Sequence, residues 1–352
     1  MIEPAIEIDG SYGEGGGQML RTALSLSSIT GAPFRIFNVR AGRERPGLKP
    51  QHVLGAKAVA AITGGKIKGA EPGSMIVEYL PGRPKPGRYS FFVGTAGSVG
   101  LVFQTVLLPL FLSGGQSELS ISGGTHVPWC PAPDYLEEVF LPAIRHMGLK
   151  AGIDTTARGY YPGGGGSIEA EIHPAQTPLV PLKMTGRGRL KKIRITSAVS
   201  NLPLAIAERQ LKAAAGRLSD FSAQIQTESI EAPAPGRGTY LFILAEFENI
   251  RAGFTALGAR GKRAETVGDE AAGEFLSYAY KEGALDRHLS DQVLLYAALS
   301  GGESVFSTVE ITRHILTNIH VIEKFLPVRF QIKGTPGEEG IIAVKGASFL
   351  RR

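Results

Sequence analysis

The chain has 352 residues, 43% hydrophobic and 20% charged, with a formal net charge of +6. This composition excludes a disordered polar chain and supplies enough apolar surface for two or more domains. One cysteine, Cys130, excludes an internal disulfide framework and a cysteine zinc cluster, and it suits a reducing cytoplasm.

In chain order, the opening M-I-E-P-A-I-E lacks the basic start and apolar core of a secretion signal. Residues 9 to 21, D-G-S-Y-G-E-G-G-G-Q-M-L-R, then set five glycines around Glu14 and lead into an apolar helix from Met19 to Ile29. Glycines let backbone N–H groups approach an anion, and a helix start adds its positive dipole end. The pattern predicts a phosphate ligand with Glu14 as metal ligand or base; a glycine-rich turn with one solvated Glu is the plainer alternative. No Gly-Lys-Ser/Thr follows, and Gln18 stands where the dinucleotide fingerprint needs glycine. Next comes a basic run, Arg35, Arg40, Arg43, Arg45 and Lys49, broken only by Glu44, which reads as a phosphate-contacting surface or a solvated face. The uncharged run Phe91 to Leu112 is diluted by Gly94, Gly97, Gln104 and Pro109, so it reads as strand, turn and helix rather than a membrane span.

Three segments align without gaps: Arg21 to Gly31, Gln104 to Gly114 and Asp291 to Gly301, each an apolar helix with a Ser/Thr-Gly stop. Strand candidates follow at Phe34 to Val39, Glu118 to Ser122 and Val305 to Ile311. Second helices then run Pro50 to Gly65, Pro133 to Gly148 and Thr312 to Pro327, with His52, Tyr135 and His314 in equivalent positions. Two more strands close each copy. The sequence thus predicts an α/β fold of three repeated βαβαββ-type units around a pseudo-threefold axis. In that arrangement Arg21, Gln104 and Asp291 open one set of helices, and His52, Tyr135 and His314 open another. Between the second and third copies, alternating strands (Leu190 to Ser197, Tyr240 to Glu248) and a helix (Leu202 to Leu218) predict a smaller inserted α/β domain, 185–275, within a core of 1–184 plus 276–352.

None of the seven histidines pairs at helical metal-ligand spacing, which argues against zinc. His314 stands out: Thr312 can cap a helix carrying Ile315, Leu316, Ile319, Ile322 and Phe325 on one face. A histidine in that first turn feels the positive dipole end, which predicts a neutral, nucleophilic imidazole near neutral pH. A structural role at the helix start is the alternative.

Taken together, these motifs resemble the RNA 3′-terminal phosphate cyclases over essentially the whole length. The carriers are the glycine loop, R-A-G-R-E-R-P-G-L-K-P-Q-H (40 to 52), G-T-A-G-S-V-G-L-V-F-Q-T-V (94 to 106), S-G-G-T (122 to 125), Y-P-G-G-G-G (161 to 166), L-S-D-Q (289 to 292) and R-H-I-L-T-N-I (313 to 319). The resemblance implies three units like the C-terminal domain of translation initiation factor three, with an inserted α/β domain before the last. It implies an ATP-dependent, ligase-class enzyme that turns an RNA 3′-phosphate end into a 2′,3′-cyclic phosphate through a covalent histidine-AMP at His314 and an RNA-adenylate. By the same carry-over, Glu14 holds Mg²⁺ or Mn²⁺. ATP contacts fall on Gln104, His288, Leu289, Ser290, Asp291, Gln292 and His314, with Pro131 and Phe254 flanking the adenine. Arg21, Arg40, Arg43, Gln51 and His52 hold phosphates or the RNA end. Many relatives carry Tyr where this chain has His288, which bears on nucleotide preference. Two rivals share the architecture: a non-catalytic ribosome-assembly relative and an enolpyruvyl-transferase-like enzyme.

Overall fold

The structure, a computed structural model, describes residues 6–176 and 178–349. Residues 1–5, where most of the secretion-signal expectation rests, and residue 177 of the linker into the insert lie outside it. The fold is mixed α/β, and among the described residues the named strands form four sheets of four.

Three of these sheets share one spatial order. The first runs Ile6–Asp9, Phe34–Phe37, Val77–Leu80, Lys66–Lys68; the second Arg88–Phe92, Ser117–Gly123, Gly166–Ile172, Ala151–Ala157; the third Lys183–Met184, Glu303–Thr308, Gly340–Lys345, Phe330–Gly334. In each, the first two strands are parallel. The remaining pairs are antiparallel. A parallel pair needs a crossover. Helices Gln18–Thr30, Val99–Phe111 and Arg287–Leu299 lie between the paired strands in the three cases. The Gln18–Thr30 helix packs on Pro50–Thr63, Val99–Phe111 and Arg313–Phe325, and the apolar faces of sheets and helices merge into one core.

Helix ends follow local chemistry. Ser98 Oγ accepts the Leu101 N–H at 3.2 Å, and Thr312 Oγ1 accepts that of Ile315 at 3.2 Å. Asp286 Oδ1 accepts the N–H groups of His288 and Leu289 at 2.8 and 2.9 Å. Thr312 caps where the sequence placed it, whereas the Ser98 and Asp286 caps lie upstream of the positions expected to open their helices. Arg21, Gln104 and Asp291 therefore sit inside helices that begin at Gln18, Val99 and Arg287. Gly31 and Gly64 end their helices with left-handed φ of 75° and 67°. The expected glycine stop fails in the Arg287–Leu299 helix, where Ser300 takes an extended conformation. Pro133–Tyr135 continues through a π segment, Leu136–Phe140, into Leu141–Arg145. Pro142 has no N–H to offer the preceding turn, which accounts for the wider one.

The fourth sheet has the order Gln224–Glu231, Leu190–Ser200, Gly238–Phe247, Arg251–Leu257. Helices Ala205–Arg217 and Ala264–Ala279 cover it, giving a second core around Ile193, Ile243, Phe254, Phe275 and Tyr278. The last helix runs beyond Phe275, where the sequence placed the end of the insert. Glu138 ties this sheet to the π segment, accepting from Arg194 at 2.9 Å and Arg251 at 2.8 Å. Asp134 accepts from the Tyr240 hydroxyl at 3.0 Å.

Tyr135 is 4% exposed and donates its hydroxyl to Asp286 at 2.9 and 3.1 Å. Tyr135→Phe leaves this buried capping carboxylate short of a donor and is expected to destabilise the fold by about 1–3 kcal/mol in denaturant unfolding. An unchanged transition would show that the hydroxyl contributes nothing.

Candidate active site

The glycine loop is pinned between two helix starts. A Cβ on Gly13, whose φ is 62°, would collide with Thr317 Oγ1, and one on Gly17 would collide with the His52 ring. Because both positions are glycine, the backbone seats closely: Thr317 Oγ1 accepts the Glu14 N–H at 3.2 Å and donates to the Arg313 carbonyl at 2.7 Å. Glu14 is thereby carried to the first turn of the Arg313–Phe325 helix.

There its carboxylate bridges two cationic groups. Arg43 Nη2 donates to Oε1, while Oε2 forms an ion pair with His314 Nε2 at 2.5 Å and has no hydrogen-bond partner among the described residues. On the other side of the ring, His314 Nδ1 meets Gln18 Oε1, and Gln18 Nε2 donates to Asp291 Oδ1. Asn318 Nδ2 donates to the same oxygen at 3.1 Å and to the Asp291 carbonyl at 3.2 Å; Thr22 Oγ1 donates to Asn318 Oδ1 at 2.6 Å. A chain of ion pairs and hydrogen bonds therefore runs from Arg43 through Glu14, His314, Gln18 and Asp291 to Asn318 and Thr22.

This chain reverses one expectation. Burial lowers the His314 pKa, but the close contact with the Glu14 carboxylate and the charges of Asp291 and Glu14 outweigh it and raise the pKa above its ordinary value. The dipole argument for a neutral imidazole omitted these carboxylates. For Glu14, burial raises the pKa, but His314 and Arg43 bring it down overall. Asp291 goes the other way: burial lifts its pKa despite the pull of His314 and the donors around it. His52 is 6% exposed, and burial plus Arg21, Arg40 and Lys49 lower its pKa to about 3, so it is neutral at physiological pH. Its Nδ1 accepts the Lys49 N–H at 3.0 Å, and the ring supports Gly17 from below.

The structure brings Glu14, Arg21, Arg43, His52, Asp291 and His314 together. Arg21 is half-buried; burial works against its charge, and Asp291, Cys130 and Glu14 support it. Arg40 is 7% exposed and braces its own loop, donating to the carbonyls of Arg45 at 2.9 Å and Gly47 at 2.6 Å. Gln51 approaches Gly97, and the Pro131 carbonyl approaches Gly100; Gln104 lies half-buried on the Val99–Phe111 helix. Within 288–292, His288 is exposed, Leu289 and Ser290 are buried, and the buried Gln292 Oε1 has no hydrogen-bond partner among the described residues. Ser290 Oγ donates to the Asp286 carbonyl at 2.9 Å, which makes it a helix-end contact. Phe254 is the correction. Its ring is 7% exposed, 5.7 Å from Phe275 and 5.5 Å from Tyr278, inside the core of the fourth sheet. Strand alternation turns its neighbour Gly253 toward Tyr135 and sends Phe254 to the helix-covered face.

Gln18, Thr22, Thr317 and Asn318 were not singled out from the sequence. The signal was available for two of them: Thr317 and Asn318 follow His314 at helical spacings of three and four, which share its face.

Among the described residues no group of three or more His, Cys, Asp or Glu converges on a metal position. Glu14 alone nonetheless fits a hard divalent cation that takes its remaining ligands from phosphate oxygens and water.

A family model described as RNA 3′-terminal phosphate cyclase matches residues 12–332. Proteins of that name from Thermococcus onnurineus and Thermococcus kodakarensis are each 45% identical, over 346 and 341 residues. The alignments cover 97% and 96% of this chain and 99% and 98% of the relatives. The protein of that name from Methylococcus capsulatus is 43% identical over 350 residues, 97% of this chain and 96% of its own.

The ion pair fixes the direction of a titration. With its pKa raised by an anionic partner, His314 stays protonated to higher pH than an isolated imidazole of pKa 6.5, and Glu14→Gln removes that partner. NMR titration of the ring is expected to place the midpoint above 6.5 in the unliganded protein and lower in Glu14→Gln. Equal midpoints would show that the pair does not control the histidine.

Proposed function

The chain belongs to the RNA 3′-terminal phosphate cyclase family, and we propose that it closes RNA 3′-phosphate ends to 2′,3′-cyclic phosphates with ATP, using His314 as nucleophile. The observation that carries this reading is the two-sided hold on the imidazole. With Nδ1 committed to Gln18 Oε1, Nε2 is the nitrogen that faces the glycine loop and Glu14.

In the proposed sequence, Nε2 attacks the α-phosphorus of ATP and the bond to pyrophosphate breaks, leaving AMP on histidine as a phosphoramidate. The RNA 3′-phosphate then takes the AMP, and the neighbouring 2′-hydroxyl attacks that 3′-phosphorus, expelling AMP and closing the ring. Asp291, through Gln18, supports the positive charge that develops on the ring. Arg43 and Arg21 lie beside the glycine loop, whose N–H groups and helix start favour phosphate. A divalent cation held at Glu14 would neutralise phosphate charge at the same place. Nε2 must shed its proton before attacking, so the acid limb of histidine adenylylation should follow the His314 titration.

The three like-ordered sheets support a reading as three repeated units about a pseudo-threefold axis, with the fourth sheet and its two helices as the inserted domain. We place the chemistry between the first and last units, because Glu14 and Gln18 come from one and Asp291 and His314 from the other. A non-catalytic relative would have no need of the Glu14–His314–Gln18 arrangement.

Incubation with α-labelled ATP and a divalent metal is expected to label the protein through an acid-labile, alkali-stable bond. His314→Ala should abolish the label. His320→Ala should retain it, since His320 instead stacks on Tyr12 with ring centroids 3.9 Å apart. A folded His314→Ala protein that still becomes labelled and cyclises RNA would overturn the mechanism.

A further inference from the structure

Large aromatic side chains are normally covered, yet Trp129 is 97% exposed, Tyr161 73% and Phe92 71%. All three stand at one end of the second sheet. Phe92 closes the strand Arg88–Phe92 and pairs with Ser122, while Gly123 pairs with Gly166. The Trp129 loop leaves just after Gly123 and the Tyr161 loop arrives just before Gly166, so both emerge beside Phe92. The loops are tied together: the Gly124 N–H donates to the Gly97 carbonyl at 2.8 Å and the Thr125 N–H to that of Gly159 at 2.9 Å. Isolated bridges join Ser98 to Gly124 and His126 to Tyr160. Trp129 also has φ 60°, a conformation unfavourable for a bulky residue.

This end of the sheet borders the candidate active site. Burial raises the pKa of the neighbouring Cys130, and Arg21 and Lys49 are close enough to pull it back. Gln51 reaches Gly97 in the same loop cluster. Arg43, Arg45 and Lys49 are exposed on the adjoining basic loop. Exposed rings beside a row of cations are the arrangement that binds a single-stranded nucleic acid, with phosphates on the cations and bases on the rings. A second copy of this face would bring like charges together, whereas a polyanion complements it.

We propose that Trp129, flanked by Tyr161 and Phe92, is a stacking platform for the bases just upstream of the RNA 3′ end. The proposal rests on the cyclase reading for the identity of that RNA and adds residues that position it. The platform reads base faces rather than base edges, so it accepts any sequence and discriminates single strands from paired ends.

Trp129 is the one tryptophan of the chain, so selectively excited tryptophan fluorescence reports on it alone. Titration with a single-stranded oligoribonucleotide carrying a 3′-phosphate is expected to quench it. The same oligomer made abasic over its last few upstream positions should quench far less. Trp129→Ala should raise the RNA KM about tenfold, the scale of one lost base–aromatic stack. Labelling by ATP without RNA should be unchanged, and Trp129→Phe should restore most of the affinity. Wild-type protein that cyclises RNA without quenching, or Trp129→Ala with an unchanged RNA KM, would overturn the platform. So would a fluorescence change that follows protein concentration without RNA, which would make a second copy the occupant. Should the wild-type protein take no label from ATP, the cyclase reading fails, and the fluorescence titration still decides the platform independently.

Discussion

The contact on which the site depends is the two-sided hold on His314, with Glu14 at Nε2 and Gln18 at Nδ1. Both partners come from the glycine loop and the helix it opens, near the start of the chain, while the histidine lies near its end. The hold therefore exists only if the Gln18–Thr30 and Arg313–Phe325 helices are packed against each other. Their contact is partly polar. Thr22 and Asn318 are buried in it, and each is hydrogen-bonded, which avoids the cost of an unmatched polar group. Asn318 also binds both the main chain and the carboxylate of Asp291, so a third helix is fixed by the same contact. Small shifts of one helix would break several directional bonds at once, and that makes the position of the imidazole specific rather than merely favourable.

The electrostatics follow from this packing. Asp291 is held where burial disfavours its charge, and its donors offset only part of that cost. A carboxylate in such a place gains most from a positive charge arising nearby, and the nearest group able to supply one through a hydrogen bond is the imidazole beyond Gln18. Glu14 stands on the open side, with Arg43 as a second cation, so the two carboxylates differ in role. Asp291 is a fixed support behind the ring. Glu14 lies on the side of the ring toward Arg43 and the glycine loop, where the proposed mechanism seats the phosphates.

Much of the architecture was legible in the sequence because it rests on local rules. Apolar periodicity gave the helices, and the strand Phe34–Phe37 falls within the stretch Phe34 to Val39 where the repeat placed one. Helix starts were misjudged by about one turn where the cap was Ser98 or Asp286, because apolar content rather than the capping residue was used to mark them. The site was legible to the extent that it is written in motifs: Glu14, Arg43 and His314 were singled out, and they meet. The relay through Gln18, Asn318 and Thr22 was not, since which polar side chains of two helices face each other depends on their rotation after packing. Phe254 shows the same limit in reverse. As a ring in a strand it suits either a ligand or a core, and only the pairing of that strand shows that it faces the covering helix.

His52, Tyr135 and His314 occupy matching positions in three aligned segments, and their fates differ for reasons that are physical. His52 lies among Arg21, Arg40 and Lys49, so burial and like charges together strip its proton and leave a neutral ring packed under Gly17. Tyr135 is buried against Asp286 and spends its hydroxyl on that carboxylate. His314 has Glu14 and Asp291 around it, so burial is overcome and the ring favours its proton. One place at the start of a helix thus supports a packing residue, a cap-bracing donor and a candidate nucleophile. The helix dipole is shared by all three and cannot distinguish them. What distinguishes them is the sign of the side chains that the neighbouring elements deliver, and carboxylates are delivered to only one of the two histidines.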